Sequence, residues 1–360
     1  MISTQSDGVH NATAAAKIEA LVAGVRGGEP ARSLADVTVL QSGLADVVGL
    51  PRLGRAAEMR LLQAAGYRDL AYGRLYEGHV NALQLIARCG TAAQRDALER
   101  DVRRGRLFGV WNTEPPDGVR VAAVTAEGLR LGGRKTFCSG AGRVGGALIT
   151  AQTAAGKPQL VLIDMEREKP PIDRSFWQPF GMEASDSYAV DFSGVLVTPQ
   201  ETIGAPDDYG RSPWFSAGAA RFVAVQTGGV ERIVAEYAAW LRAGQRSEDP
   251  LAVARLGSCT VAAGTARAWT DACTSAWAAY DGRALAAPEL LVTVDAARVA
   301  VERAALDVAE AVERGVGARG LLEPAPFSRL IRDLRMYLRQ PAPDQALMRV
   351  GRAALESDSA

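Results

Sequence analysis

Between Leu107 and Thr198 the chain breaks into short runs: LFGVWNT, VRVAAVT, LRLGGRKTFCS, ALITAQT, QLVLIDM and YAVDFSGVLVT. Each is rich in β-branched and aromatic residues, and Gly, Pro and Asp punctuate the gaps,. Several gaps have hairpin length, too short for the crossover helix that a parallel neighbour requires. This stretch therefore predicts an antiparallel, barrel-like sheet domain and excludes a doubly wound α/β core.

The flanks follow another period. AEMRLLQAAGYRDLAYGRLYEGHVNALQLIARCG mixes apolar and charged residues at three-to-four spacing and stops at Gly90,. TAAQRDALERDVRRG opens on a Thr cap and closes on Gly105,. In the last third, Val294, Val301 and Val308 stand one heptad apart, with Ala297, Ala304 and Ala311 between them. That is the stripe of a long bundle helix with close neighbours. GLLEPAPFS and RQPAPD are Pro-bearing elbows,. The expected fold class is α+β, with an N-terminal helical domain (1–106), a β-domain (107–208) and a C-terminal four-helix bundle (209–360). A chain of 360 residues is long enough for such domains to have cores of their own,.

One motif points elsewhere. Gly140, Gly142 and Gly145 spell G-x-G-x-x-G, and Asp164 follows where a ribose-binding acid would stand,. A dinucleotide site needs a helix directly after the glycines, its N-terminus holding the pyrophosphate. Here ALITAQT follows, which reads as a strand, so Asp164 is expected to be an ordinary strand-end residue.

Charge and composition remove further classes. Lys plus Arg and Asp plus Glu balance at 41 each, which supplies no field for nucleic acid or acidic lipid,. RDVRRGR reads as a solvated helix end. The start lacks a signal-peptide pattern, and no apolar run reaches about 18 residues, so neither export nor a membrane span is expected. Cys89, Cys138, Cys259 and Cys273 lie far apart, and the two histidines, His10 and His79, cannot make a multi-His centre; no metal is expected,. A cytoplasmic location follows from this reading, and the sequon at Asn11 carries no weight there.

Four stretches in order resemble the acyl-CoA dehydrogenase family: NTEP (Asn112–Pro115), GRKTFCSGA (Gly133–Ala141), FGMEASDS with the strand after it (Phe180–Gly204), and GARGLLEPAPFSRLIRDLRMY (Gly317–Tyr337). The resemblance spans nearly the whole chain. It implies FAD lying between the β-domain, the bundle and a neighbouring subunit of a homodimer or homotetramer. Carried over by position, Thr113 bonds the pyrimidine side of the flavin and Asn112 offers an adjacent amide. Ser139 reaches the N5 edge and Phe137 packs on the ring, with Trp111 and Cys138 also on the cofactor side. Arg246, Gly317 and Gly320 fall at the adenine half. Taken alone, Thr113 and Ser139 also read as turn caps, Phe137 as core, Arg246 as a solvated helix end, and the two glycines as a helix stop.

The sequence also departs from that family. Its members need a carboxylate to remove the α-proton while hydride leaves for N5. The usual position falls on Pro341 and the minority one on Ala220. Asp344 is the nearest substitute, although an acid in a first helical turn is favourable in any case. Pro116 and Asp117 replace the small residues that follow T-E-P, which puts coenzyme A recognition in doubt. KTFCSG is closer to the flavin monooxygenases of the same fold, whose early helical domain often offers a His where His79 stands; a structural or substrate-lining role is the other reading of His79. No His follows it. The leading expectation is a flavin-dependent oxidoreductase acting on an acyl thioester or related carbonyl substrate, with electron-transfer flavoprotein or oxygen as acceptor. A flavin monooxygenase or oxidase, and a non-catalytic flavin- or acyl-binding homologue, are the alternatives.

Overall fold

The computed structural model describes residues 22–24, 54–339 and 342–357. The longer helices are α1 (Arg55–Arg68), α2 (Leu70–Cys89), α3 (Ala92–Arg103), α4 (Ala220–Ala243), α5 (Pro250–Asp281), α6 (Ala287–Gly320), α7 (Phe327–Tyr337) and α8 (Pro343–Ser357). The described residues form two compact units. One joins 54–73 with those of Ala219–Ala360, and the other is Arg74–Gly218. The border falls inside α2.

In the helical unit α4, α5 and α6 pack on one another, α1 lies against α4, and α7 and α8 complete the bundle. The expected stripe is the core of α6: Val294, Ala297, Val301, Ala304 and Val308 are buried, and Ala311 is half-buried. The α1–α4 contact depends on missing side chains. A Cβ on Gly66 would stand 1.9 Å from the Val225 carbonyl oxygen, and one on Gly228 1.9 Å from that of Gln63. The backbones therefore touch, which only glycine allows. Asp249 caps α5 by accepting from the N–H groups of Leu251 and Ala252,. The buried Asp295 of α6 receives Arg349 of α8 bidentately, at 2.6 and 2.7 Å, and fixes the last helix,.

The second unit contains β1 (Phe108–Trp111), β2 (Arg120–Val124), β3 (Leu129–Gly132), β4 (Arg134–Cys138), β5 (Gly146–Gln152), β6 (Pro158–Asp164), β7 (Ile172–Asp173), β8 (Tyr188–Asp191), β9 (Leu196–Val197) and β10 (Thr202–Ile203). Seven strands form one sheet in the order β10-β6-β5-β2-β3-β9, with β1 beside β5; β4, β8 and β7 form a second. Most pairs are antiparallel, as expected, but β1 runs parallel to β5 along its whole length. The hairpins β2–β3 and β5–β6 keep the predicted spacing, while β1 is separated from β5 by three intervening strands.

Both faces of β5 are covered, which explains its unbroken apolar run. Ala147, Ile149 and Ala151 join Trp111, Leu131, Cys138, Val190 and Phe192 in a core built from both sheets. Leu148 faces a second core with Phe108, Leu160 and the helical residues Ala82, Leu85, Ile86 and Val102. Helix α3 begins as expected: Thr91 and Gln94 cap each other, the Thr91 N–H donating to Gln94 Oε1 at 2.8 Å,.

The glycine motif is the turn from β4 to β5. Strand β5 starts at Gly146 with no helix after the glycines, so the dinucleotide reading fails for the reason the sequence gives. Asp164 ends β6, accepts from the N–H groups of Glu166 and Arg167, and pairs with Arg106 at 2.7 Å.

Candidate functional site

In the β-unit the NTEP loop lies along β4 and is tied to it at both ends. The Thr136 N–H donates to the Thr113 carbonyl at 3.0 Å and the Arg134 N–H to the Asp117 carbonyl at 3.1 Å. Asp117, one of the residues foreign to the family pattern, pairs with Arg134 Nε at 2.9 Å. Lys135 lies completely buried between loop and sheet. Its ammonium meets Glu114 Oε2 at 2.5 Å, Thr150 Oγ1 at 2.9 Å and the Asn112 carbonyl at 3.4 Å. Burial pulls the Lys135 pKa down, opposed by Glu114,. Thr150 Oγ1 in turn donates to Asn112 Oδ1 at 2.7 Å. The Asn112 amide NH2 and the exposed Thr113 side chain remain for a ligand.

The end of β4 holds the other positions. Phe137 sits in a bulge with φ of 54° and is 43% exposed. Phe176 and Trp177 meet it edge-on, with ring centroids 5.2 and 6.0 Å away. Cys138 points into the core, and burial pushes its thiol far above the usual range; it backs the strand and offers no reactive thiolate. Trp111 is also core, its indole N–H donating to the Ser139 carbonyl at 3.0 Å. The Ser139 hydroxyl lies 2.8 Å from that of Ser187, which lies 2.9 Å from that of Ser185. The structure thus brings Trp111, Asn112, Thr113, Phe137, Cys138 and Ser139 onto one loop and one strand end. An exposed aromatic ring buttressed from its sides, with polar groups close by, suits the apolar face and polar edge of a flavin ring.

His79 is buried elsewhere in this unit. Its Nδ1 accepts the Phe108 N–H at 3.1 Å, and its ring stacks on Phe108. Burial pulls its pKa down to about 3, so the imidazole is neutral and carries its proton on Nε2,.

Within the helical unit Arg246, Gly317 and Gly320 share one end of the bundle. Arg246 pairs with Asp249 at 2.5 Å and donates to the Gly315 carbonyl at 3.3 Å. Gly317, at φ 60° and ψ −172°, interrupts α6 in a conformation reserved for glycine,. Ala220, the minority base position, is 1% exposed at the start of α4. Asp344 is exposed in the first turn of α8, and Pro341 lies outside the described residues.

No protein-family model matches the chain. Among curated proteins it is similar to dibenzothiophene monooxygenase of Rhodococcus qingshengii, with 26% identity over 302 residues, 75% of this chain and 72% of the relative. The enzyme of that name from Mycolicibacterium goodii is 27% identical over 306 residues, 75% of this chain and 73% of the relative. Among solved structures, TdsC from Paenibacillus sp. A11-2 with FMN and indole gives a TM-score of 0.73 at 20% identity, covering 96% of each chain. Glutaryl-CoA dehydrogenase from Mycobacterium smegmatis gives 0.78 at 16% identity, covering 94% of this chain and 93% of that one.

The chain has the acyl-CoA dehydrogenase fold.

At the level of a flavin-dependent oxidoreductase on that fold, the sequence expectation is borne out. Other relatives of the acyl-CoA dehydrogenase fold are monooxygenases, methanesulfinate monooxygenase from Pseudomonas fluorescens among them. No described helix is long and apolar enough to cross a membrane. The sequence marks Lys135, Ser185 and Ser187 only as members of the family-like stretches GRKTFCSGA and FGMEASDS, and it marks Phe176 and Trp177 not at all. The available signal for the serines was the alternation S-D-S.

Proposed function

We propose that this chain is a flavin-dependent monooxygenase whose substrate is a small, flat, heteroatom-bearing organic molecule. What carries the reading is Ala220, a buried methyl group at the position to which the family resemblance assigns the minority carboxylate. Without a base, the α-proton of a saturated thioester stays in place. An oxygen transfer needs no such proton removed. The activity of the curated relatives, and the KTFCSG strand, point the same way.

Bound flavin in its reduced form would supply two electrons to dioxygen; one oxygen atom enters the substrate and the other leaves as water. The residues of the chain do the rest. Asn112 and Thr113 hold the polar edge of the ring. Ser139 meets its N5 edge, and Phe137, Phe176 and Trp177 supply an apolar wall that keeps water away. Lys135 holds the loop in place. Neutral His79 fixes α2 to β1 through the Phe108 N–H. FAD is the expected form, bound by a homo-oligomer with Arg246 at its adenine half.

The test is to reduce FMN-loaded and FAD-loaded protein and admit labelled dioxygen with a heteroaromatic thioether or indole. One labelled oxygen atom in the product is expected. Rapid anaerobic bleaching by butyryl-CoA, with no label transferred, would return the chain to the dehydrogenases.

A further inference from the structure

A flavin against β4, the reading on which this inference rests, presents N5 as an acceptor when oxidised and as a donor, N5–H, when reduced. A hydroxyl that follows it through both forms must reverse its role. A serine can donate and accept, but a buried one reverses only if its own partner reverses as well.

Ser187 is that partner. The Ser139–Ser187 and Ser187–Ser185 oxygen distances of 2.8 and 2.9 Å suit donation in either direction. All three serines are buried; Ser139 is the most exposed of them, at 7%. The turn carrying Ser185 and Ser187 is pinned from outside. Asp186, at φ 44°, points away to the Arg143 guanidinium at 2.6 Å and the Tyr188 hydroxyl at 2.8 Å. The Gly140 N–H donates to the Ser185 carbonyl at 2.8 Å.

We propose that Ser185, Ser187 and Ser139 form a reversible hydrogen-bond chain, in which Ser187 is a positioning residue that sets the role of Ser139. In one setting Ser185 donates to Ser187, Ser187 donates to Ser139, and the Ser139 proton is left for an oxidised ring. In the other, Ser139 donates to Ser187 and Ser187 to Ser185, and Ser139 offers a lone pair to a reduced ring. Only O–H bonds rotate, and no proton changes owner.

The second setting needs both inner acceptors. Without Ser185 the Ser187 proton has no acceptor in the chain, and without Ser187 the Ser139 proton has none. Ser187→Ala and Ser185→Ala therefore weaken reduced flavin selectively. The full-length apoprotein is titrated anaerobically with FMN and FAD, each oxidised and dithionite-reduced, and its melting temperature is measured without flavin. Loss of one acceptor lowers the affinity for reduced flavin by about 5- to 10-fold, with the oxidised form changed far less. Ser187→Thr keeps the hydroxyl and restores the parent ratio. If Ser187→Ala does not fold, Ser185→Ala and Ser187→Thr decide alone. Equal loss for both redox forms, or no loss, while Ser139→Ala does alter flavin binding, overturns the chain and leaves Ser139 in place. If Ser139→Ala changes neither form, β4 does not carry the flavin and the proposal falls with it.

Discussion

The Trp111 indole N–H donates to the Ser139 main-chain carbonyl at 3.0 Å, so the core of the β-unit holds the residue that faces the candidate flavin edge. Trp111→Phe deletes that donor and leaves space behind it. We expect a loss of about 1–3 kcal/mol of stability together with an altered flavin spectrum. Denaturant titration and visible absorbance of the reconstituted protein check both. A stability loss with an unchanged spectrum would separate the core from the site.

His79 makes stability depend on pH. Its folded pKa is about 3, against 6.5 for the free side chain, so the unfolded chain binds the extra proton first. The contribution is complete above pH 6.5 and is lost as the pH falls toward 3, with a slope of up to about 1.4 kcal/mol per pH unit. Unfolding midpoints across this range should show that slope, and His79→Gln should reduce it. A neutral His79 adds no limb of its own to the rate profile above pH 6.5.

Lys135→Met removes the cation that joins Glu114, Thr150 and the Asn112 carbonyl. Glu114 is partly exposed and can find water, so the stability loss should be about 1–3 kcal/mol, below the usual figure for a broken buried pair. Flavin affinity should fall by more than that loss explains, because the NTEP loop is released. Melting curves with and without added flavin separate the two effects.

Arg246→Ala distinguishes the two flavins. If Arg246 serves an adenine nucleotide, FAD affinity drops while FMN affinity is unchanged. Equal retention of both returns Arg246 to its local partners, Asp249 and the Gly315 carbonyl.

Asp344→Asn should leave turnover unchanged, since an exposed acid in the first turn of α8 has only a helix end to serve,. Its effect on stability should stay within about 0.5 kcal/mol. A turnover assay that drops sharply would make Asp344 a participant.

Signals confined to a few neighbouring residues were legible. The Thr91–Gln94 cap, the α6 stripe and the strand after Gly145 all follow from local pattern. Features that depend on distant partners were not. Ser139 and Ser187 are 48 positions apart, and nothing in either segment announces the other. The parallel pairing of β1 with β5 is hidden because the two neighbours are separated in sequence by three other strands. Lys135 was legible only as a member of the GRKTFCSGA stretch; its burial follows from Glu114, which sits on a separate loop and closes over it. The site was visible as a set of family positions, whereas the groups holding those positions were not.

The discontinuous helical unit has a consequence for synthesis. Helix α1 emerges early, yet its backbone partner around Gly228 follows Gly66 by about 160 residues. At ribosomal speeds of about 5–20 residues per second, that is a wait of roughly 8–30 s. Through this interval the apolar face of Leu61, Leu62, Ala64 and Ala65 has no docking surface, while the β-unit encoded between can already close. A ribosome stalled while α4 is still inside its exit tunnel should therefore hold a finished β-unit beside an undocked, sticky α1, the natural client of a co-translational chaperone.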